Sequence, residues 1–144
     1  MNNLVQRKLL DILLIEDNDD DIFLINLALK KADIQSKLTV IHNGEDAVNH
    51  LLKLEKIKEK LPALILLDVN LPKINGLEVL SVIESLEFIS QIPVVVLTSS
   101  DIAFDLNFSK NKTSGLYVKK PNNINGFIDV MAFIKEQFMS SLTS

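Results

Sequence analysis

Five times along this chain, a short and nearly unbroken apolar run gives way to a longer stretch whose apolar residues recur every three or four positions. No other feature narrows the fold so far. The runs are residues 9–15 (LLDILLI), 38–41 (LTVI), 63–67 (ALILL), 93–97 (PVVVL) and 116–119 (LYVK). Each is rich in leucine and β-branched residues and halts at a polar cluster, as a strand buried on both faces does. The stretches between them read as amphipathic helices. Residues 19–31 carry Ile22, Ile25 and Leu29 on one face; 45–60 carry Ala47, Val48, Leu51, Leu52 and Leu54; 76–86 carry Leu77, Val79, Leu80 and Ile83. A fourth helix over 101–111 is expected to be weak, because Asn107, Ser109 and Asn111 are poor helix formers. A closing helix spans 125–138, its core stripe formed by Phe127, Val130, Met131, Ile134 and Phe138.

Strand–helix alternation of this kind needs right-handed crossovers and a parallel sheet covered on both faces. The expectation is one α/β domain with its core within about residues 8–138, since no repeat, low-complexity tract or Gly/Ser/Pro-rich linker divides the 144 residues. In such sheets, ligands sit beyond the carboxyl ends of the strands. What stands at those ends is therefore the functional question. The first run stops at Glu16-Asp17, the third at Asp68, the fourth at Thr98 and the fifth at Lys119-Lys120-Pro121.

Three carboxylates on one rim repel one another and raise each other's pKa unless a cation neutralises them. A hard divalent ion suits them, and Mg2+ in particular prefers a few carboxylates plus waters and a phosphoryl oxygen. Glu16, Asp17, Asp68 and a backbone carbonyl near Asn70 are the candidate ligands. An aspartate can also attack phosphorus and carry the phosphoryl group as an aspartyl-phosphate. An ammonium from Lys120 and a hydroxyl from Thr98 would then stabilise the moving group.

Bulk properties exclude other classes. A net charge of −4 offers no electrostatic footprint for nucleic acid or anionic membrane. There is no cysteine, hence no disulfide, thiolate metal site or thiol nucleophile. No apolar run is long enough to cross a bilayer, and the first eight residues lack a signal-peptide core, so the expected compartment is the cytoplasm.

Taken together, LLIEDNDDD, LLDVNLPKINGLEVL, VVVLTSS and YVKKP resemble the receiver domain of bacterial response regulators, over almost the whole chain. Within that family the chain looks similar to small single-domain regulators that partner phytochrome-type sensor kinases. The resemblance implies a flavodoxin-like (βα)5 doubly wound sheet with strand order 2-1-3-4-5. It implies Asp68 as phosphoacceptor, Glu16 and Asp17 as the acidic metal pair, Asn70 as the carbonyl donor to Mg2+, Thr98 as switch hydroxyl, Lys120 as the family lysine and Tyr117 as switch aromatic. It further implies a cis Lys120–Pro121 bond. The donor would be a sensor histidine kinase or a phosphotransfer protein. With no output segment expected after the last helix, output would be a protein contact, including a homodimer through the fourth helix, fifth strand and closing helix. Ile128, Ala132 and Met139, off the core stripe, would add an apolar patch near that surface.

Two features depart from the family pattern: Leu116 stands where a small residue is common, and residues 102–114 lack the usual alanine- and glycine-rich pattern. Several residues have plainer readings. Asp19 to Asp21 are expected to cap and charge the first helix, Lys119 to be a solvated lysine, and His42 and His50 to lie on the surface. A haloacid-dehalogenase-type phosphatase would need a carboxylate where Asn70 stands, and a flavodoxin-type carrier would not place EDNDDD against a phosphate. The remaining rival is a pseudo-receiver that binds partners without being phosphorylated.

Overall fold

The computed structural model describes residues 9–98 and 115–143. In chain order the elements are β1 (Leu10–Ile15), α1 (Asp19–Lys31), β2 (Ser36–Ile41), α2 (Gly44–Ile57), β3 (Leu64–Asp68), α3 (Gly76–Ser85), a 3-10 turn (Ile89–Gln91), β4 (Val94–Thr98), β5 (Gly115–Lys119) and a closing helix α4 (Ile124–Thr143). The helix expected over 101–111 lies outside the described residues. All strand pairs are parallel, and the order is β2-β1-β3-β4-β5. The sequence-based fold expectation holds.

Side-chain alternation along the central strands divides the core in two. Leu13, Ile15, Ile65, Leu67, Val94 and Val96 face α2 and α3, meeting Ala47, Leu51, Val79 and Ile83. Ile12, Leu14, Leu64, Leu66, Val95 and Leu97 face α1 and α4, meeting Ile25, Leu29, Phe127 and Met131. Burial on both faces is why these strands read as unbroken apolar runs. β2, at an edge, is only half-buried.

Asparagine starts the helices. The side chains of Asn18, Asn43 and Asn75 accept hydrogen bonds from the backbone N–H groups of Asp21, Asp46 and Glu78, and Asn123 does the same for Gly126. Each satisfies a donor that the first helical turn leaves open. Asp19, Asp20 and Asp21 therefore lie in the first turn of α1 rather than at its cap. α2 stops at Ile57, three residues before its expected end, because Lys58 turns to φ 63° and closes it. α4 runs past its expected end to Thr143, since nothing in residues 139–143 (MSSLT) breaks a helix. Glu55 of α2 reaches across to accept from the N–H groups of Phe88 (3.0 Å) and Ile89 (2.9 Å), anchoring a 3-10 turn that no periodicity announced.

The predicted core stripe of α4 is buried or half-buried throughout, but the predicted apolar patch is not a separate surface. Ile128 packs onto the α1–α4 core, because α4 is gripped by α1 as well as by the sheet, which widens its apolar face. Ala132 is exposed and the Met139 side chain lies outside the described residues. His42 is exposed as expected, whereas His50 is half-buried, and burial, then the nearby Lys53 charge, holds its pKa below the ordinary value. No helix among the described residues is long and apolar enough to cross a membrane.

Candidate functional site

The carboxyl ends of β1, β3, β4 and β5 meet at one rim, and the parallel register is what brings them there. Asp68 pairs with Leu97, and Thr98 with Lys119, so the end of β3 lies beside the end of β4 and that beside β5. Glu16 continues β1, its N–H bonded to the Ile41 carbonyl at 2.9 Å. The Lys120 N–H donates to the Thr98 carbonyl at 2.6 Å, which carries the lysine around the end of the sheet and back toward the acids.

Carboxylate oxygens of Glu16, Asp17 and Asp68 all lie within 4.8 Å of one another. Glu16 is fully buried, Asp68 is 2% exposed and Asp17 is open to solvent. The cluster is thus a pocket with one wet wall. Glu16 Oε2 accepts from the Asn18 N–H at 3.1 Å, and Asp68 Oδ1 accepts from the Asn70 N–H at 3.1 Å. These two turns aim the carboxylates.

Lys120 Nζ stands 2.8 Å from Glu16 Oε1, 2.7 Å from Asp21 Oδ2 and 3.5 Å from Asp68 Oδ2. Burial alone would lower the lysine pKa, but the hydrogen bonds with Asp21 and Glu16 more than reverse that, and it stays firmly protonated. Glu16 behaves oppositely. Burial and a hydrogen bond shared with Asp68 raise it from 4.5 to about 7, against the opposing pull of Lys120. Its buried Oε1 pairs with the ammonium at 2.8 Å. One cation does not balance this many carboxylates. A divalent ion with oxygen ligands fits the pocket on charge and on donor type.

The β3–α3 connection fixes the other side. Gly76 N–H donates to the Val69 carbonyl at 2.8 Å, and a Cβ on Gly76 would overlap the backbone of Asp68 and Val69. Only glycine lets the start of α3 close over the end of β3.

Glu16, Asp17, Asp68, Thr98 and Lys120 stand on this rim, Asn70 lies just beyond the end of β3, and Tyr117 sits in the middle of β5. Thr98 is completely buried. Tyr117 is half-buried beside Val96, on the face packed by α2 and α3; burial, and then the Glu84 charge, raise its hydroxyl pKa. One expectation is corrected: no cis peptide occurs among the described residues, so Lys120–Pro121 is trans, the form an Xaa-Pro bond intrinsically favours. One residue was missed. Asp21 looked like helix-end charge, yet it closes on Lys120. The Asn18–Asp21 capping relation places it in the third position of α1, and the far partner is supplied by the fold alone.

A single five-stranded parallel sheet of this order, covered by helices on both faces, carries an acidic pocket, a lysine and a threonine at its carboxyl rim. The chain belongs to the response regulator receiver domain family, whose model matches residues 12–132. Among its relatives, Response regulator Rcp1 of Synechocystis sp. is 33% identical over 133 residues, covering 92% of this chain and 90% of that protein. A probable methanogenesis regulatory protein, FilR2, of Methanothrix harundinacea is 34% identical over 128 residues, covering 89% and 83%. The crystal structure of the phosphorylated cyanobacterial phytochrome response regulator RcpA superposes with a TM-score of 0.79 at 34% identity, over 93% of this chain and 96% of that one. The Mn2+-bound form of Rcp1 superposes at 0.76.

Proposed function

We propose that Asp68 is the phosphoacceptor of this receiver domain and that Mg2+ is its working metal. The observation that carries the reading is the position of Asp68: nearly buried at the end of a central strand, within 4.8 Å of two further carboxylates and 3.5 Å from the Lys120 ammonium. The side chains of Glu16, Asp17 and Asp68 and the Asn70 carbonyl would hold the metal, which when bound supplies positive charge to the phosphoryl oxygens. A carboxylate oxygen of Asp68 attacks phosphorus as the bond to the donor nitrogen breaks, and that nitrogen keeps the electron pair. Lys120 offsets charge on the transferred group, and the Thr98 hydroxyl donates to one of its oxygens.

The donor in this reading is a histidine kinase or phosphotransfer protein. The likeness to RcpA and Rcp1 favours a phytochrome-type kinase, and the kinase sets the compartment as the cytoplasm. The chain acts as a signalling domain whose only chemistry is its own phosphorylation and dephosphorylation. Tyr117 would report the modified state to the surface. Self-association through β5 and α4 is supported by the edge position of β5 and the exposed Phe133, while residues 101–111 lie outside the described residues. A phosphorylation-independent binding module has less support, because it leaves the assembled aspartate, threonine and lysine without a task.

Incubation with acetyl phosphate and Mg2+ tests the central claim. One phosphoryl mass should be added, and Asp68→Asn should abolish it. Labelling that persists in the variant would move the site elsewhere.

A further inference from the structure

Lys120 is bound by more than the pocket needs. An ammonium has three N–H donors. Two have close carboxylate partners, Asp21 at 2.7 Å and Glu16 at 2.8 Å, and the third partner, Asp68, stands off at 3.5 Å. Lys120 is largely shielded, its side chain 12% exposed, and Asp21 is partly covered at 22%. The long, flexible lysine stem would otherwise leave the ammonium many positions. We infer that Asp21 is a positioning residue: with Glu16 it clamps the Lys120 ammonium over the pocket so that its remaining donor is aimed at the phosphoryl group on Asp68.

Three features of the fold support this assignment. Asp21 does not cap α1, because Asn18 holds the Asp21 N–H at 2.9 Å, which leaves the aspartate side chain for another task. That same capping bond fixes the backbone from which the carboxylate reaches Lys120. Nor is Asp21 among the three acids that converge closely enough to share a metal ion. Its effect on the chemistry must therefore run through the lysine. A donor held in place before the reaction needs no reorganisation when charge develops, which is where such groups gain their catalytic effect.

The inference rests on Asp68 as phosphoacceptor, and the test separates the two. Acetyl phosphate labelling rates at saturating Mg2+ are compared for the native protein, Asp21→Asn, Lys120→Met and the double variant. Asp21→Asn should slow labelling roughly tenfold, less than the 10²–10³ typical of removing an electrostatic donor itself. In the Lys120→Met background the same change should have no effect. Asp21→Glu, which keeps the carboxylate, should recover most of the rate and also serves if the asparagine variant folds poorly. An unchanged rate in Asp21→Asn, or an equal loss with Lys120 absent, would overturn the inference. If the native protein takes no phosphoryl group, the functional reading falls, and melting temperatures of the same four proteins decide the contact. Non-additive shifts would uphold the Asp21–Lys120 clamp, and additive ones would reject it.

Discussion

Lys120 Nζ lies 2.8 Å from Glu16 Oε1, and the Glu16 side chain has no exposure to water at all. A buried carboxylate beside two others is tolerable only with positive charge at hand or with a proton of its own. The lysine supplies part of it and leaves the pocket net negative.

Metal binding should therefore stabilise the fold. By mass action, Mg2+ at a hundred times its dissociation constant contributes about 2.7 kcal/mol, a rise of several degrees in melting temperature for a chain of this size. Asp17→Asn should remove most of that rise without disturbing the metal-free protein, because Asp17 is exposed. Differential scanning fluorimetry across a Mg2+ series reads both outcomes, and a native curve indifferent to Mg2+ would count against the pocket.

The raised pKa of Glu16 predicts an inverted pH response. Its ordinary value of 4.5 becomes about 7 in the folded protein, so the folded state holds the extra proton between those limits. This contribution to stability is fully present below 4.5 and is lost as pH rises to about 7. Metal-free protein should lose melting temperature across that window, and Glu16→Gln should flatten the slope. Because Mg2+ displaces the proton, its binding midpoint should also weaken as the buffer is taken below pH 7.

Tyr117 offers an optical report. It is the only tyrosine, and the chain has no tryptophan. Its half-buried ring packs on the α2–α3 face, two residues from the strand position paired with Thr98. If Thr98 shifts toward a phosphoryl group and the ring turns, beryllofluoride with Mg2+ should change tyrosine emission in the native protein and leave Asp68→Asn unaffected. Constant emission from protein shown to bind beryllofluoride would place the switch at another residue.

Gly76→Ala should destabilise the protein although alanine is the better helix former. The added methyl would meet backbone atoms of Asp68 and Val69, which cannot rotate away. A loss of about 1–3 kcal/mol, in the range of overpacked sites, is expected in urea unfolding, together with weaker Mg2+ binding as the end of β3 is pushed aside. A gain in stability would show that the β3–α3 connection yields.

Much of this architecture was legible because its causes are local or periodic. Strands covered on both faces must be apolar throughout, so ALILL and PVVVL announce themselves. Helices packed on one side must repeat every three to four residues, so 45–60 and 76–86 do too. The polar residues that interrupt these patterns, Glu16, Asp17, Asp68, Thr98 and Lys120, stand out because a core gives no other reason for them at strand ends. Element boundaries were less legible. The asparagine caps, the left-handed Lys58 and the Glu55 anchor each depend on single hydrogen bonds or dihedrals that leave no periodic trace.

The sequence by itself determined the order of strands and helices, the two-sided burial of the sheet and the set of acids, hydroxyl and amine at its carboxyl rim. Only the tertiary structure decided what those side chains do to one another. It joined Asp21 to Lys120, packed Ile128 onto the α1–α4 core, and left Lys120–Pro121 trans. Periodicity records which face of an element is dry, whereas a contact between distant segments is set by how whole elements pack, and no local pattern encodes it.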